Sequence, residues 1–360
     1  MKTMFNKHRV AVEAPPAVLA VRAVRRRARL WVVALLLLLG TGMAVALGIG
    51  PVRIPPADVL EIVGHKLRGQ PTEGPLAQIV WGTRLPRVLM ATLAGACLSV
   101  AGAVLQAVAR NGLADPYLLG VNAGASTGVA FVALVAGAGG AMVLAGAALA
   151  GAVGAVALVI TLGGLAGQRG PFRLILAGLA VGYMLTAVTN FLIFWSDSPE
   201  AARSVMFWLL GSLSSVQPAV LNSAAIAAFV GIGVLIAVAP ILDALSSGDD
   251  SARAAGLNPE RARFLVLIGT SAMVGVIVAG VGGIGFVGLV VPHLARRLVG
   301  GRHRAVLPVS ALLGGALLLA ADTIARTAVA PQEIPVGVVT GILGAPFLVL
   351  LLRRAITTGS

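Results

Sequence analysis

The stretch RLPRVLMATLAGACLSVAGAVLQAVARNGLADPYLLGVNAGAS (residues 84–126) holds 22 successive uncharged positions between Arg87 and Arg110. A helix needs about 20 such residues to cross the hydrocarbon layer of a bilayer, so the run 86–109 reads as a membrane span. Inside it Ala91, Gly95, Ser99, Ala103 and Ala107 recur every fourth residue. That spacing puts small side chains on one helix face, where a neighbouring helix can approach closely. Gly275, Ala279 and Gly283 repeat the pattern in a later run.

Working outward, nine further apolar runs stand at about 30–49, 118–137, 141–166, 172–195, 219–242, 263–281, 284–299, 306–328 and 336–352. The expected fold is all-α and polytopic, with about ten transmembrane helices. Composition agrees: 58% of the 360 residues are hydrophobic and 11% charged, and mean hydropathy is +0.98. A soluble domain carries about 25% charged residues, which excludes that class. The first run is too long for a cleavable signal segment, whose apolar stretch is about 7–15 residues. The expected organisation is a basic segment 1–29, one membrane domain 30–354 and a tail 355–360. The single cysteine, Cys97, offers neither a disulfide framework nor a thiolate metal site.

The net charge of +14 would suggest nucleic acid in a soluble protein, but here the basic residues lie in clusters between apolar runs. With ten crossings and the N-terminus inside, 20 of the 27 Lys and Arg residues fall on the inner side and seven on the outer. This asymmetry predicts cytoplasmic N- and C-termini, with membrane lipid rather than nucleic acid as the surrounding partner.

Few constellations could carry chemistry. The inner loop 243–263 reads DALSSGDDSARAAGLNPERAR. Ser247 with Asp250 has capping-box spacing, Asp249 and Asp250 suit a helix N-terminus, Arg253 suits the other end, and Gly256 can end the helix in a left-handed conformation. A short, deliberately stopped helix is predicted, serving either as a plain connector or as a docking element. Gly124-Ala125-Ser126-Thr127-Gly128 matches the G-x-S-x-G nucleophile pattern, leaving an intramembrane serine protease as a remote alternative. That chemistry needs a His within reach of Ser126, and only His293 lies in an apolar run. No P-loop surrounds Lys2, Lys7 or Lys66, the only lysines, so any ATP drive has to come from another chain. Asp322 and Arg326, four apart, have the spacing of a same-face ion pair. Few other ionisable groups lie within the spans, which argues against a proton- or sodium-coupled carrier.

Five stretches, 84–126, 202–213, 249–259, 282–315 and 321–347, resemble the FecCD (BtuC-like) family of ABC-importer permeases, whose members carry ferric siderophores, haem or cobalamin. The resemblance implies a BtuC-like type II importer fold and a permease dimer of like or similar chains, without catalytic site, metal or cofactor of its own. ATP and Mg would be held by partner ATPase subunits. Asp249, Asp250, Arg253 and Gly256 match the coupling segment that docks the ATPase. Arg84, Arg87 and Arg326 match outer arginines that receive acidic residues of a substrate-binding protein. Asn111 and Leu113 match a cytoplasmic gate region, although Asn111-Gly112 stands here where the family has Asn-Pro. The run SDSPEAARSVMFWLLGSL (196–213) looks most like the siderophore permeases.

Overall fold

In lipid no water is present to bond a free amide or carbonyl, so a spanning segment has to satisfy its backbone within itself, as a helix does. The computed structural model describes residues 16–71, 74–163, 171–214 and 216–357, and every regular element among them is helical. The chain begins with α1 (Pro16–Gly48), α2 (Pro56–Leu67) and α3 (Pro75–Gln78), which passes through a π-helical turn, Ile79–Arg84, into α4 (Leu85–Ala109). A 3₁₀ turn, Pro116–Leu119, leads to α5 (Val121–Ala130), prolonged by a second π-helical turn, Phe131–Val135. There follow α6 (Ala141–Gly163), α7 (Pro171–Trp195), α8 (Pro199–Leu209), α9 (Pro218–Ala237), α10 (Ala239–Ser246) and α11 (Asp249–Ala254). The last four are α12 (Pro259–Val281), α13 (Val287–Val299), α14 (His303–Ala325) and α15 (Val336–Thr357).

Local chemistry sets these boundaries. Proline opens α2, α3, α8, α9 and α12, where its missing N–H costs no helical bond and its fixed φ is already suitable. Asn258 caps α12 by accepting from the amides of Glu260 and Arg261, both at 3.1 Å.

Among the described residues seven helices are long and apolar enough to cross a membrane, and Val121–Val135 and Val336–Leu350 are shorter apolar helices. With α13 they occupy the ten expected runs. The chain is a multi-pass, all-α membrane protein. Two expectations change. Helix α1 starts at Pro16, so residues 16–29 of the expected basic segment form one rod with the first span; residues 1–15 lie outside the described residues, as do Arg169 and 358–360. Helix α15 runs to Thr357, through the start of the expected tail.

The 13 residues of α13 reach about 20 Å, short of the roughly 30 Å hydrocarbon layer. Non-helical backbone at 282–286 makes up the difference, and other parts of the protein cover it. The Tyr117 hydroxyl donates to the Ile284 carbonyl at 3.0 Å and accepts from the Ile284 amide at 2.9 Å. The Ser212 amide donates to Val281 O at 2.9 Å, and the amides of Val336 and Gly337 donate to Gly211 O and Leu210 O at 3.0 and 3.1 Å. Within the break, Gly282 has φ 71° and Phe286, at the start of α13, has φ 68°. A side chain is rarely found in that left-handed region.

Helix α4 lies at the centre. Of its 25 residues 17 are buried, which explains a sequence apolar on every face. The small-residue stripe meets α14: a Cβ on Gly95 would lie 2.1 Å from the Gly314 carbonyl oxygen, and one on Gly314 would lie 1.7 Å from Ser99 Oγ. On another face a Cβ on Gly102 would lie 1.8 Å from Gly288 O. The backbones touch directly, so Gly102→Leu should lower the thermal midpoint of the detergent-solubilised protein by the equivalent of at least about 1–3 kcal/mol of overpacking. Gly154→Leu, where a Cβ meets nothing within 4 Å, should leave it unchanged.

Candidate functional site

Charged side chains gather at the two ends of α4. At its C-terminal end, called here the basic end, Arg110 caps the helix in a left-handed conformation, φ 50°. The following loop is held by Asn111, whose Oδ1 accepts from the Leu113 amide at 2.9 Å and whose carbonyl accepts from the Ala114 amide at 3.1 Å. Asp115 Oδ1 then caps the 3₁₀ turn by accepting from the Tyr117 amide at 2.9 Å; burial pushes this carboxyl up from its ordinary pKa, and that bond opposes the shift. Leu113 is exposed at the tip. Gly112 does not use a left-handed φ, and a Cβ there would stand 3.2 Å from His293 Nε2. The Asn111 turn, rather than residue 112, shapes this loop.

The predicted helix in the inner loop is present as α11, stopped at Gly256 with φ 77°. The amide of Gly256 donates to Arg253 O at 2.9 Å and that of Leu257 to Ala252 O at 3.0 Å, the bonding pattern of a glycine-terminated helix. The capping box is not formed. Gly248, φ 121°, is the N-cap with no side-chain bond, and Ser247 Oγ instead donates back to Asp243 O at 2.9 Å. A helix of six residues begun by glycine needs no hydroxyl cap when two carboxylates, Asp249 and Asp250, already stand in its first turn.

The two aspartates point different ways. Asp250 is fully exposed and stands 3.4 Å from the half-exposed Arg253. Asp249 is drawn inward: its carboxylate is paired with Arg110 and with buried Arg263 on α12, which reaches Oδ2 at 3.2 Å as well as Oδ1. Burial and the nearby Arg263 guanidinium lower the Arg110 pKa, with Asp250 opposing. Six residues before α11, Asp243 Oδ1 accepts from the His303 amide at 2.9 Å and sits 2.6 Å from His303 Nδ1. The loop is thereby tied to α4, α12 and α14.

One residue at this end has no counterpart in the sequence reading. Pro292 inside α13 lacks an N–H, which leaves the Gly288 carbonyl without its helical donor. Gln106 on α4, buried, turns its Nε2 to Gly288 O and Leu289 O, each at 3.4 Å, and its Oε1 accepts from Arg296 at 2.5 Å. The signal available was a polar amide inside an apolar run, opposite a helix containing proline.

At the opposite end, the ion pair expected of Asp322 and Arg326 is present at 3.7 Å within a larger cluster. Asp322, fully buried, also accepts from Arg87 at 2.9 Å, and Arg87 binds Glu333 at 2.8 Å. Arg326 donates to Ala46 O at 2.7 Å. Arg84 donates to Leu47 O at 2.7 Å and to Val52 O. Two of the three outer arginines, Arg84 and Arg326, are thus buried against the end of α1, and only the Arg87–Glu333 pair borders the surface.

Ser126 makes no hydrogen bond to a histidine among the described residues. Its hydroxyl donates to the Asn122 carbonyl one turn back at 2.8 Å. Among the described residues no three His, Cys, Asp or Glu side chains gather as a metal site.

Residues 35–354 match the FecCD transport family. The chain belongs to that family. It is 41% identical over 282 residues to the cobalamin import system permease protein BtuC of Halobacterium salinarum, covering 77% of this chain and 74% of that protein. It is 38% identical over 327 residues to the ferric enterobactin transport system permease protein FepD of Escherichia coli, covering 91% and 96%. A solved metal-chelate type ABC transporter in an inward-facing conformation superposes with TM-score 0.78 and 29% identity, over 91% of this chain and 99% of that one. FecCD chains are transport permeases, not catalysts, and the expected BtuC-like permease fold is the one observed.

The outer cluster yields a stability prediction. Asp322→Ala leaves Arg87 and Arg326 without their buried counter-ion, which costs about 3–5 kcal/mol when one partner of a buried pair is lost. Thermal unfolding in detergent should show a large loss of folded protein, whereas Glu333→Gln, at the surface, should show little.

Proposed function

We propose that this FecCD chain is the membrane-spanning subunit of a binding-protein-dependent ABC importer that carries a ferric siderophore or similar iron chelate into the cytoplasm. The exposed α11 at the basic end, tied through Asp249 to the residue preceding the Asn111 loop, carries this reading. Such a helix presents Asp250 and Arg253 to a docking partner while its root is joined to α4 and α12. ATP and Mg²⁺ belong to separate ATPase subunits on that face; ATP binding there draws the docking helices together, and the path between two permease copies changes the side to which it opens. The basic end faces the cytoplasm, in keeping with the excess of Lys and Arg on that side.

The opposite end receives the loaded binding protein. Arg87, bordering the surface beside Glu333, is the arginine that a partner carboxylate reaches most directly, with Arg84 and Arg326 holding the platform beneath it. Cobalamin is the second substrate class, favoured by the 41% identity to an archaeal cobalamin permease.

Uptake by proteoliposomes containing permease, ATPase and binding protein tests the reading. Accumulation of a ferric siderophore should require ATP and all three components. Accumulation without ATPase subunits would overturn the importer assignment, and ATP-driven uptake of cobalamin alone would shift the substrate.

The docking assignments separate by mutation. Arg253→Glu should lower the affinity of the permease for its ATPase subunits about tenfold, within the range for a charged interface residue. Arg87→Gln should weaken capture of the binding protein by the folded permease, more strongly at low salt where surface charges are least screened, and lower its yield as well, because Arg87 also pairs with buried Asp322. Arg84→Ala should instead reduce the yield of folded permease, because that side chain bonds carbonyls of the α1 end. Binding measured by surface plasmon resonance at two salt concentrations distinguishes these outcomes.

A further inference from the structure

Asp249 lies in the segment whose resemblance implies contact with the ATPase, yet its carboxylate is occupied within the chain. It receives Arg263 from the second turn of α12 on both oxygens and Arg110 from the end of α4 on one. Arg263 is 2% exposed, so its pairing with Asp249 seats the root of α11 on α12. Arg110 differs in three respects. It is partly exposed; its backbone occupies the left-handed junction between α4 and the loop beginning at Asn111; and no other side-chain bond restrains it among the described residues. Among the described residues Asp249 is therefore the carboxylate that joins the docking helix, on which it sits, to the joint from which the Asn111–Leu113 loop hangs. A second tie, Asp243 to His303, leads to α14 and bypasses that joint.

We infer that Asp249 is a positioning residue for transport: through Arg110 it transmits displacement of α11 to the Asn111–Leu113 loop, and it does not contact the ATPase. Asp250 and Arg253 are the outward charges. The division of labour follows from geometry, since two adjacent residues at the start of one helix turn point about 100° apart. Loss of the Asp249–Arg110 pair then leaves docking and ATP hydrolysis in place while the loop ceases to follow them. This inference rests on the importer reading given above.

The test uses the full complex of permease, ATPase subunits and binding protein in proteoliposomes. The probe is a maleimide fluorophore reacting with Leu113→Cys; native Cys97 is buried and does not compete. In the otherwise wild-type chain, addition of ATP should change the labelling rate. Arg110→Gln keeps the Asp249–Arg263 seat, so α11 stays in place. In that variant ATPase binding and hydrolysis rate should match wild type, and the ATP-dependent change in labelling should fall about tenfold, within the usual range of coupling between sites. Arg110→Lys, which retains a cation, should restore part of the response.

Equal ATP-dependent labelling in wild type and Arg110→Gln would overturn the proposal while leaving the importer reading intact. So would loss of ATPase binding in Arg110→Gln, since it would place the pair within the docking surface. If the wild-type chain shows no ATP response at Leu113→Cys while ATP still drives uptake in the same proteoliposomes, the proposal fails and the importer reading stands; if ATP drives no uptake either, both fail.

Discussion

Every interruption of a helix inside lipid exposes amides and carbonyls that only the protein can satisfy, and this constraint governs the architecture. The break at 282–286 lies against the 3₁₀ turn that follows the Asn111 loop, whose Tyr117 hydroxyl acts at once as donor and acceptor for Ile284. Where Pro292 removes a donor from α13, Gln106 supplies one from α4. A soluble protein could leave such groups to water. Here Ile284 and the Gly288 carbonyl are bonded by Tyr117 and Gln106, which tie the short helix α13 to α4 and to the turn that opens α5.

The same constraint explains where charge is tolerated. Asp322 is buried with Arg87 and Arg326 around it, an arrangement that neutralises a carboxylate where hydration is lost. At the other end Asp249 gathers Arg110 and Arg263. Both clusters tie segments remote in sequence, so α4 is fixed at each end by ion pairs and along its length by backbone contact with Gly288 and Gly314. Between those ends its packing has no slack. Adjustment is left to the joints, a π-helical turn at Ile79–Arg84 and the left-handed Arg110.

Much of this was legible in the residues. Ten apolar runs, the small-residue stripe of α4, the Asp322–Arg326 spacing and the glycine stop at Gly256 each follow from local rules, and each is observed. The inward turn of Asp249 was not legible, because its partners lie 139 and 14 residues away and one-dimensional spacing does not bring them together. The Ser247–Asp250 capping box failed for a local reason: Gly248 intervened as the cap. Arg84 and Arg326 were assigned by resemblance to an outer docking face, and their burial against α1 became visible only when the end of that helix was placed. Gln106 escaped notice because nothing in its own neighbourhood calls for it; the demand arises at Gly288.

The order in which these partners appear bears on biogenesis. Helix α4 is made early, but Gly288, whose carbonyl Gln106 bonds, lies 182 residues further along, and Asp322, which Arg87 bonds, lies 235 further. At ribosomal speeds of about 5–20 residues per second, α4 waits roughly 10 to 40 s before the first of them emerges. During that interval a helix destined for the interior, with an amide and an arginine not yet paired, sits beside lipid or within the insertion machinery. Folding of the centre is thereby reserved for a nearly complete chain, and a ribosome stalled before α13 releases a product whose core has not assembled.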